Sequence, residues 1–110
     1  MSCNVDIILL HVQVLPYFTR RPTAHYVMEG HEALFHCTAS GNPSPLITWH
    51  KDGKIVGRGE VLKFLIFKNN SGKYWCSADN GLSVPINTSA DLNVQCKYEL
   101  LIAFNVLRLI

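Results

Sequence analysis

The stretch NNSGKYWCSADNG, Asn69 to Gly81, decides how this chain is read. Tyr74, Cys76 and Ala78 recur at every second position, with Lys73, Trp75, Ser77 and Asp79 interleaved. Such alternation belongs to a strand with one buried face. The first three side chains share the inner face and the other four the outer. Asn80-Gly81 tolerates positive φ at both centres of a tight turn, so a two-residue hairpin is expected there. The inward cysteine raises the question of what it faces.

Working outward, the 110 residues make one domain's worth of chain, and 48% hydrophobic with 16% charged residues places it among globular proteins. The net charge of +2, with Lys and Arg scattered singly apart from Arg20-Arg21, lacks the electrostatic footprint of a nucleic-acid binder. Turn clusters at Gly30, Gly41 to Pro45, Asp52-Gly53, Gly57 to Gly59, Asn69 to Gly72 and Asn80-Gly81 separate short apolar or alternating runs. That rhythm reads as an all-β antiparallel sandwich or barrel. Strands are expected at 18–28 with a break at Pro22, and at 32–40, 46–51, 54–56, 61–67, 73–79 and 87–95.

In EALFHCTA, residues 32 to 39, Ala33, Phe35, Cys37 and Ala39 share one face, so Cys37 is a second inward cysteine. In LITWHKDG, Ile47 and Trp49 point one way before a turn at Asp52-Gly53.

These anchors resemble the immunoglobulin superfamily, specifically the intermediate-set domains of cell-adhesion and cell-surface receptor proteins. The resemblance covers residues 17 to 96. It is carried by Pro22, Glu29-Gly30, Cys37, GNPSP before Trp49, Lys51-Asp52-Gly53, Leu62, Phe64, Ser71-Gly72, Tyr74, Cys76, Ala78, Leu92 and Val94. It implies an immunoglobulin-like antiparallel β-sandwich whose two sheets are joined by a Cys37–Cys76 disulfide. Trp49 would pack on that bridge and Tyr74 would form a tyrosine corner, with Leu62 completing the core signature. The alternative is a pair of reduced core cysteines, as in intracellular muscle-type domains. YWCSADNG also resembles Fc-receptor-like domains.

Two departures stand out. Asn70 occupies the place of an Asp that usually pairs with a basic residue, for which Arg58 is the expected partner. The interval from Trp49 to Cys76 is short, so strand D is expected to be very short or absent.

Asn69-Asn70-Ser71 and Asn87-Thr88-Ser89 are glycosylation sequons, making Asn69 and Asn87 candidate acceptors on an extracellular or cell-surface protein. LHVQV (10–14) resembles LNVQC (92–96) at about one domain's spacing, so residues 1–16 read as the end of a preceding domain or a poorly packed segment, with Leu15 to Phe18 as the joint. The other explanation is a chance match between apolar runs. Residues 1–15 lack the basic start and cleavage site of a signal peptide. The apolar tail at 97–110, whose role the sequence leaves open, is shorter than the roughly 20 residues a membrane helix needs; the alternative is that it is the truncated front of one, and membrane attachment is otherwise expected only through a parent chain's anchor. Cys3 and Cys96 are expected to stay unpaired with each other.

No motif supports catalysis, a cofactor, a metal site or a small-molecule substrate; the five His have no metal-ligand spacing with the cysteines. Action through a surface is left. The candidate partner-binding residues are Trp75 and Lys73 on the outward sheet face, and Asp79 and Asn80 at the hairpin tip. Trp75 either meets a partner or packs beneath a neighbouring side chain or the tail. The expected function is non-catalytic recognition of a protein ligand, or of a like domain on an opposing cell. The alternatives are a structural spacer in a tandem matrix or muscle-type array, and an Fc-receptor-like immune domain.

Overall fold

The inward cysteines sit on opposite layers of a β-sandwich, seen in a computed structural model that describes residues 12–95. Nine strands and one turn of 3-10 helix run in the order β1 (Val14–Arg20), β2 (His25–Met28), β3 (Glu32–His36), β4 (Thr38–Asn42), β5 (Leu46–Lys51), β6 (Lys54–Arg58), β7 (Val61–Leu65), the 3-10 turn (Lys68–Asn70), β8 (Gly72–Asp79) and β9 (Ile86–Gln95). Cys3, Cys96, the tail at 97–110, and residues 1–11 of the proposed preceding domain lie outside the described residues.

One layer holds the five strands β2-β9-β8-β5-β6. The other is built from two ladders, β1-β4 and β3-β7. Only Cys37 separates β3 from β4, and its N–H donates 2.9 Å to the carbonyl of Glu60 instead of joining either ladder. β1 and β2 belong to different layers, and the crossing falls at Pro22, as expected. Proline has no N–H to give a ladder, so the pairing breaks there.

β1 starts earlier than expected. Val14, Leu15 and Pro16 belong to it, with Val14 opposite Asn42 in β4 and a register shift before Tyr17. These residues therefore pack as the first strand of this sandwich and not as a joint before it. Strand D is absent among the described residues: only Gly59 and Glu60 connect β6 to β7.

The core follows the alternation read from the sequence. Ala33, Phe35, Cys37, Ile47, Trp49, Leu62, Tyr74, Cys76 and Ala78 are all buried. The ring of Phe35 lies 6.0 Å from that of Trp49 and 5.4 Å from that of Tyr74, within the range where aromatic pairs attract. Cys37 and Cys76 are disulfide-bonded. Trp49 lies opposite Cys76 on the neighbouring strand and donates its indole N–H to the Gly59 carbonyl at 2.8 Å.

The foot of the sandwich is held by Tyr74, whose hydroxyl donates to the Asn70 carbonyl at 2.6 Å. This is the tyrosine corner read from the sequence. The expected link from Arg58 to Asn70 is replaced by a local one: the Asn70 side-chain oxygen accepts the Phe67 N–H and closes the 3-10 turn. A neutral amide has no charge to attract a distant guanidinium, and the nearby backbone donor takes its oxygen.

Candidate recognition face

β6 stands at the edge of the five-stranded layer, and the outer surface of β6, β5, β8 and β9 is free of any other layer among the described residues. Register decides which side chains meet on it. Ile55 pairs with His50, His50 with Trp75, and Trp75 with Ser89, giving one row across four strands. A second row joins Arg58, Thr48, Ser77 and Asn87. Residues directly opposite one another on antiparallel strands are in contact range, so these rows are real neighbours.

Trp75 is the largest side chain on this face and is 42% exposed. The ammonium of Lys73 sits over its ring, 5.8 Å from the centroid. A cation over an indole face is held by the ring quadrupole. The two residues are two apart on one strand, so the alternation that buries Tyr74 and Cys76 brings them together. Ile55 is also exposed, and Thr48 Oγ1 and His50 Nε2, on the adjoining strand, are 3.1 Å apart. Val56, its neighbour on β6, instead lines a hollow with Leu62, Phe64 and Tyr74.

Ser77 departs from the simple pattern. It points outward by register yet is only 8% exposed. It shares a shallow depression with His50, Trp75, Val84, Pro85 and Asn87.

The hairpin tip differs from expectation. β8 and β9 are joined by residues 80–85, not by a two-residue turn. Asn80 is drawn into the framework: its amide donates to the carbonyls of Val14 at 2.8 Å and Pro43 at 3.1 Å. Its oxygen accepts from Leu82 N–H at 3.3 Å. Asn80 thus ties the loop to β1 and to the β4–β5 connection, and its amide is not free for a partner. Asp79 is exposed, and its carboxylate accepts the Gly81 N–H at 2.9 Å. Gly41 makes the tie possible, because a Cβ there would stand 3.0 Å from the Asn80 amide and 3.1 Å from the Val14 oxygen.

Both sequon asparagines are exposed, Asn69 on the 3-10 turn and Asn87 on β9. Among the described residues no group of three His, Cys, Asp or Glu is placed to hold a metal ion. Among them, too, no helix is long and apolar enough to cross a membrane. Sequence reasoning placed Trp75 and Lys73 on this outward face but missed Asn87 and Pro85 as neighbours of Trp75, since strand alternation gives the face and only register gives the neighbour.

Two layers clamped by a buried disulfide under an indole, with a tyrosine corner at the foot and one uncovered sheet face, define an immunoglobulin-type sandwich. The chain belongs to the immunoglobulin domain family, whose model matches residues 16–80. It is 31% identical over 101 residues to neuroglian of Drosophila melanogaster, covering 82% of this chain and 8% of that protein. It is 38% identical over 94 residues to receptor-type tyrosine-protein phosphatase F of Danio rerio, covering 73% of this chain and 5% of that protein. The chain thus spans a small part of the relatives it matches.

Solved structures agree. The immunoglobulin domains 1–5 of sidekick-1 superpose with a TM-score of 0.72 at 30% identity, covering 78% of this chain and 21% of that one. Dpr11 IG1 bound to DIP-gamma gives 0.71 at 28% identity, covering 76% and 49%. A mutant complex of titin M10 with obscurin-like 1 Ig gives 0.70 at 26% identity, covering 77% and 97%.

Proposed function

We propose that this domain is an extracellular recognition module of a cell-adhesion molecule or cell-surface receptor, acting by protein–protein contact and without catalysis. The observation that carries the reading is the uncovered row Ile55, His50, Trp75 with Lys73 over the indole. Exposed tryptophan surrounded by polar and basic groups has the composition of an interface hot spot. Relatives that include a receptor-type phosphatase, and a structural neighbour solved as Dpr11 bound to DIP-gamma, support contact with another protein. Tandem copies along a parent chain would multiply a modest affinity.

A second reading is a mechanical spacer, favoured by the likeness to titin. The Cys37–Cys76 bond weighs against a cytosolic spacer, because glutathione keeps such thiols reduced. Multivalent display of the domain, stripped of N-glycans, to cells tests the choice. Trp75→Ala and Lys73→Ala are expected to weaken cell-surface binding, whereas Lys63→Ala on β7 of the other layer leaves it intact. Binding that survives both face substitutions in correctly folded protein rules the face out.

A further inference from the structure

We propose that Asn87 carries an N-linked glycan whose first sugars lie over the indole of Trp75, so that glycosylation masks the recognition face. The masking consequence rests on the recognition reading above; the site itself does not.

The sequon Asn87-Thr88-Ser89 is not in a loop but on β9, antiparallel to β8. Thr88 pairs with Cys76, on the inward side. Asn87 and Ser89 therefore both project outward. Ser89 is directly opposite Trp75, and Asn87 is opposite Ser77, the next outward residue of β8. Outward residues on this diagonal lie roughly 7–8 Å apart, within reach of a sugar attached to the asparagine amide. Asn87 is exposed, and with Trp75, Ser77, His50, Val84 and Pro85 it lines one shallow depression.

The chemistry of the depression fits a pyranose. An indole offers a flat apolar face to the ring C–H groups. Pro85 and Val84 supply an apolar rim, and His50 and Ser77 supply hydrogen-bonding groups for hydroxyls. Attachment joins the Asn87 side-chain nitrogen to C1 of a sugar carried by a lipid-linked diphosphate donor. The C1–phosphate bond breaks, the lipid diphosphate leaves, and the amide releases one proton. Asn69 contrasts with this site. It lies on the 3-10 turn, outside the rows that form the face, so a glycan there leaves Trp75 uncovered.

The chain carries its own probe. Trp49 is fully buried and Trp75 is 42% exposed, so a neutral quencher in solution reads Trp75. The full chain is secreted from a glycosylating host as Asn69→Gln, leaving Asn87 as the sequon of interest. Intact mass is recorded before and after peptide-N-glycosidase, and acrylamide quenching of tryptophan emission is measured on both forms. The expected result is a glycan mass that Asn87→Gln abolishes, and weak quenching that rises when the glycan is removed. Ser89→Ala, which keeps Asn87 but destroys the sequon, gives the same rise. An unmodified Asn87 in the secreted chain overturns the proposal, as does a modified Asn87 with quenching equal to that of Asn87→Gln. Failure of the recognition reading shows up separately, as binding of the glycan-free domain that is indifferent to Trp75→Ala.

Discussion

Trp49 stands directly opposite Cys76 across the β5–β8 ladder, and Cys76 is bonded to Cys37 of the other layer. The largest buried side chain and the one covalent tie among the described residues are therefore in a single spot. The bridge spans a sequence separation of 39, which restricts the unfolded chain by roughly 4 kcal/mol in the loop-entropy account. Removing both sulfurs together, as Cys37→Ala/Cys76→Ala, is expected to lower unfolding free energy by about that amount. Urea unfolding followed by tryptophan emission measures it, and an unchanged midpoint would show that the bridge does not bear on stability.

Tyr74 predicts a second loss. Its hydroxyl bonds the Asn70 carbonyl, and its ring is 3% exposed between Phe35 and Phe64. Tyr74→Phe keeps the ring and removes the bond, leaving the carbonyl short of a donor. The expected cost is about 1–2 kcal/mol in urea denaturation. Full stability in the variant would mean that water replaces the hydroxyl without loss.

The same residue sets an alkaline limit. Burial, with the nearby Asp52 carboxylate as a second cause, pushes the Tyr74 hydroxyl from its ordinary 10.0 up to about 12. The unfolded chain releases this proton near pH 10 and the folded chain holds it to about pH 12. Tyr74 thus leaves stability untouched below pH 10, lowers it progressively from 10 to 12, and contributes no further slope above that. Urea midpoints measured across this range should fall steeply in the native sequence and less so in Tyr74→Phe. Equal slopes in the two proteins would place the alkaline loss elsewhere.

Asn80 should behave as a tie. Asn80→Ala leaves the Val14 and Pro43 carbonyls without this donor and is expected to cost about 1 kcal/mol. Hydrogen exchange should quicken in β1 and in residues 80–85. Gly41→Ala, which crowds both the Asn80 amide and the Val14 oxygen, should quicken the same amides. Unaltered exchange in both variants would remove the tie from the account.

The core was legible because burial in a strand is a local, period-two property. Ala33, Phe35 and Cys37 on one side, and Tyr74, Cys76 and Ala78 on the other, announced themselves by spacing alone. What failed was set by partners distant in sequence. Asn80-Gly81 has the local chemistry of a tight turn, yet the Asn80 side chain reaches back to Val14, and β9 is not paired until Ile86, after Pro85. Leu15 to Phe18 reads as a joint because LHVQV at 10–14 resembles LNVQC one domain's spacing later; pairing with β4, distant in sequence, draws Val14 to Phe18 into an edge strand whose register shift accommodates Pro16. At the face, the outward direction of Trp75 and Lys73 was readable. The adjacency of Asn87 to Trp75 depends on the β8–β9 register, which no single strand encodes.

A disulfide persists in oxidising compartments and is kept reduced in the cytosol, so the Cys37–Cys76 clamp fits the extracellular reading proposed above. The most direct test is a peptide map of the secreted chain without reductant. One linked pair of peptides is expected, carrying Cys37 and Cys76, that separates on reduction with a mass gain of two hydrogens. Cys37 and Cys76 recovered as free thiols, or each joined to a different cysteine, would contradict it.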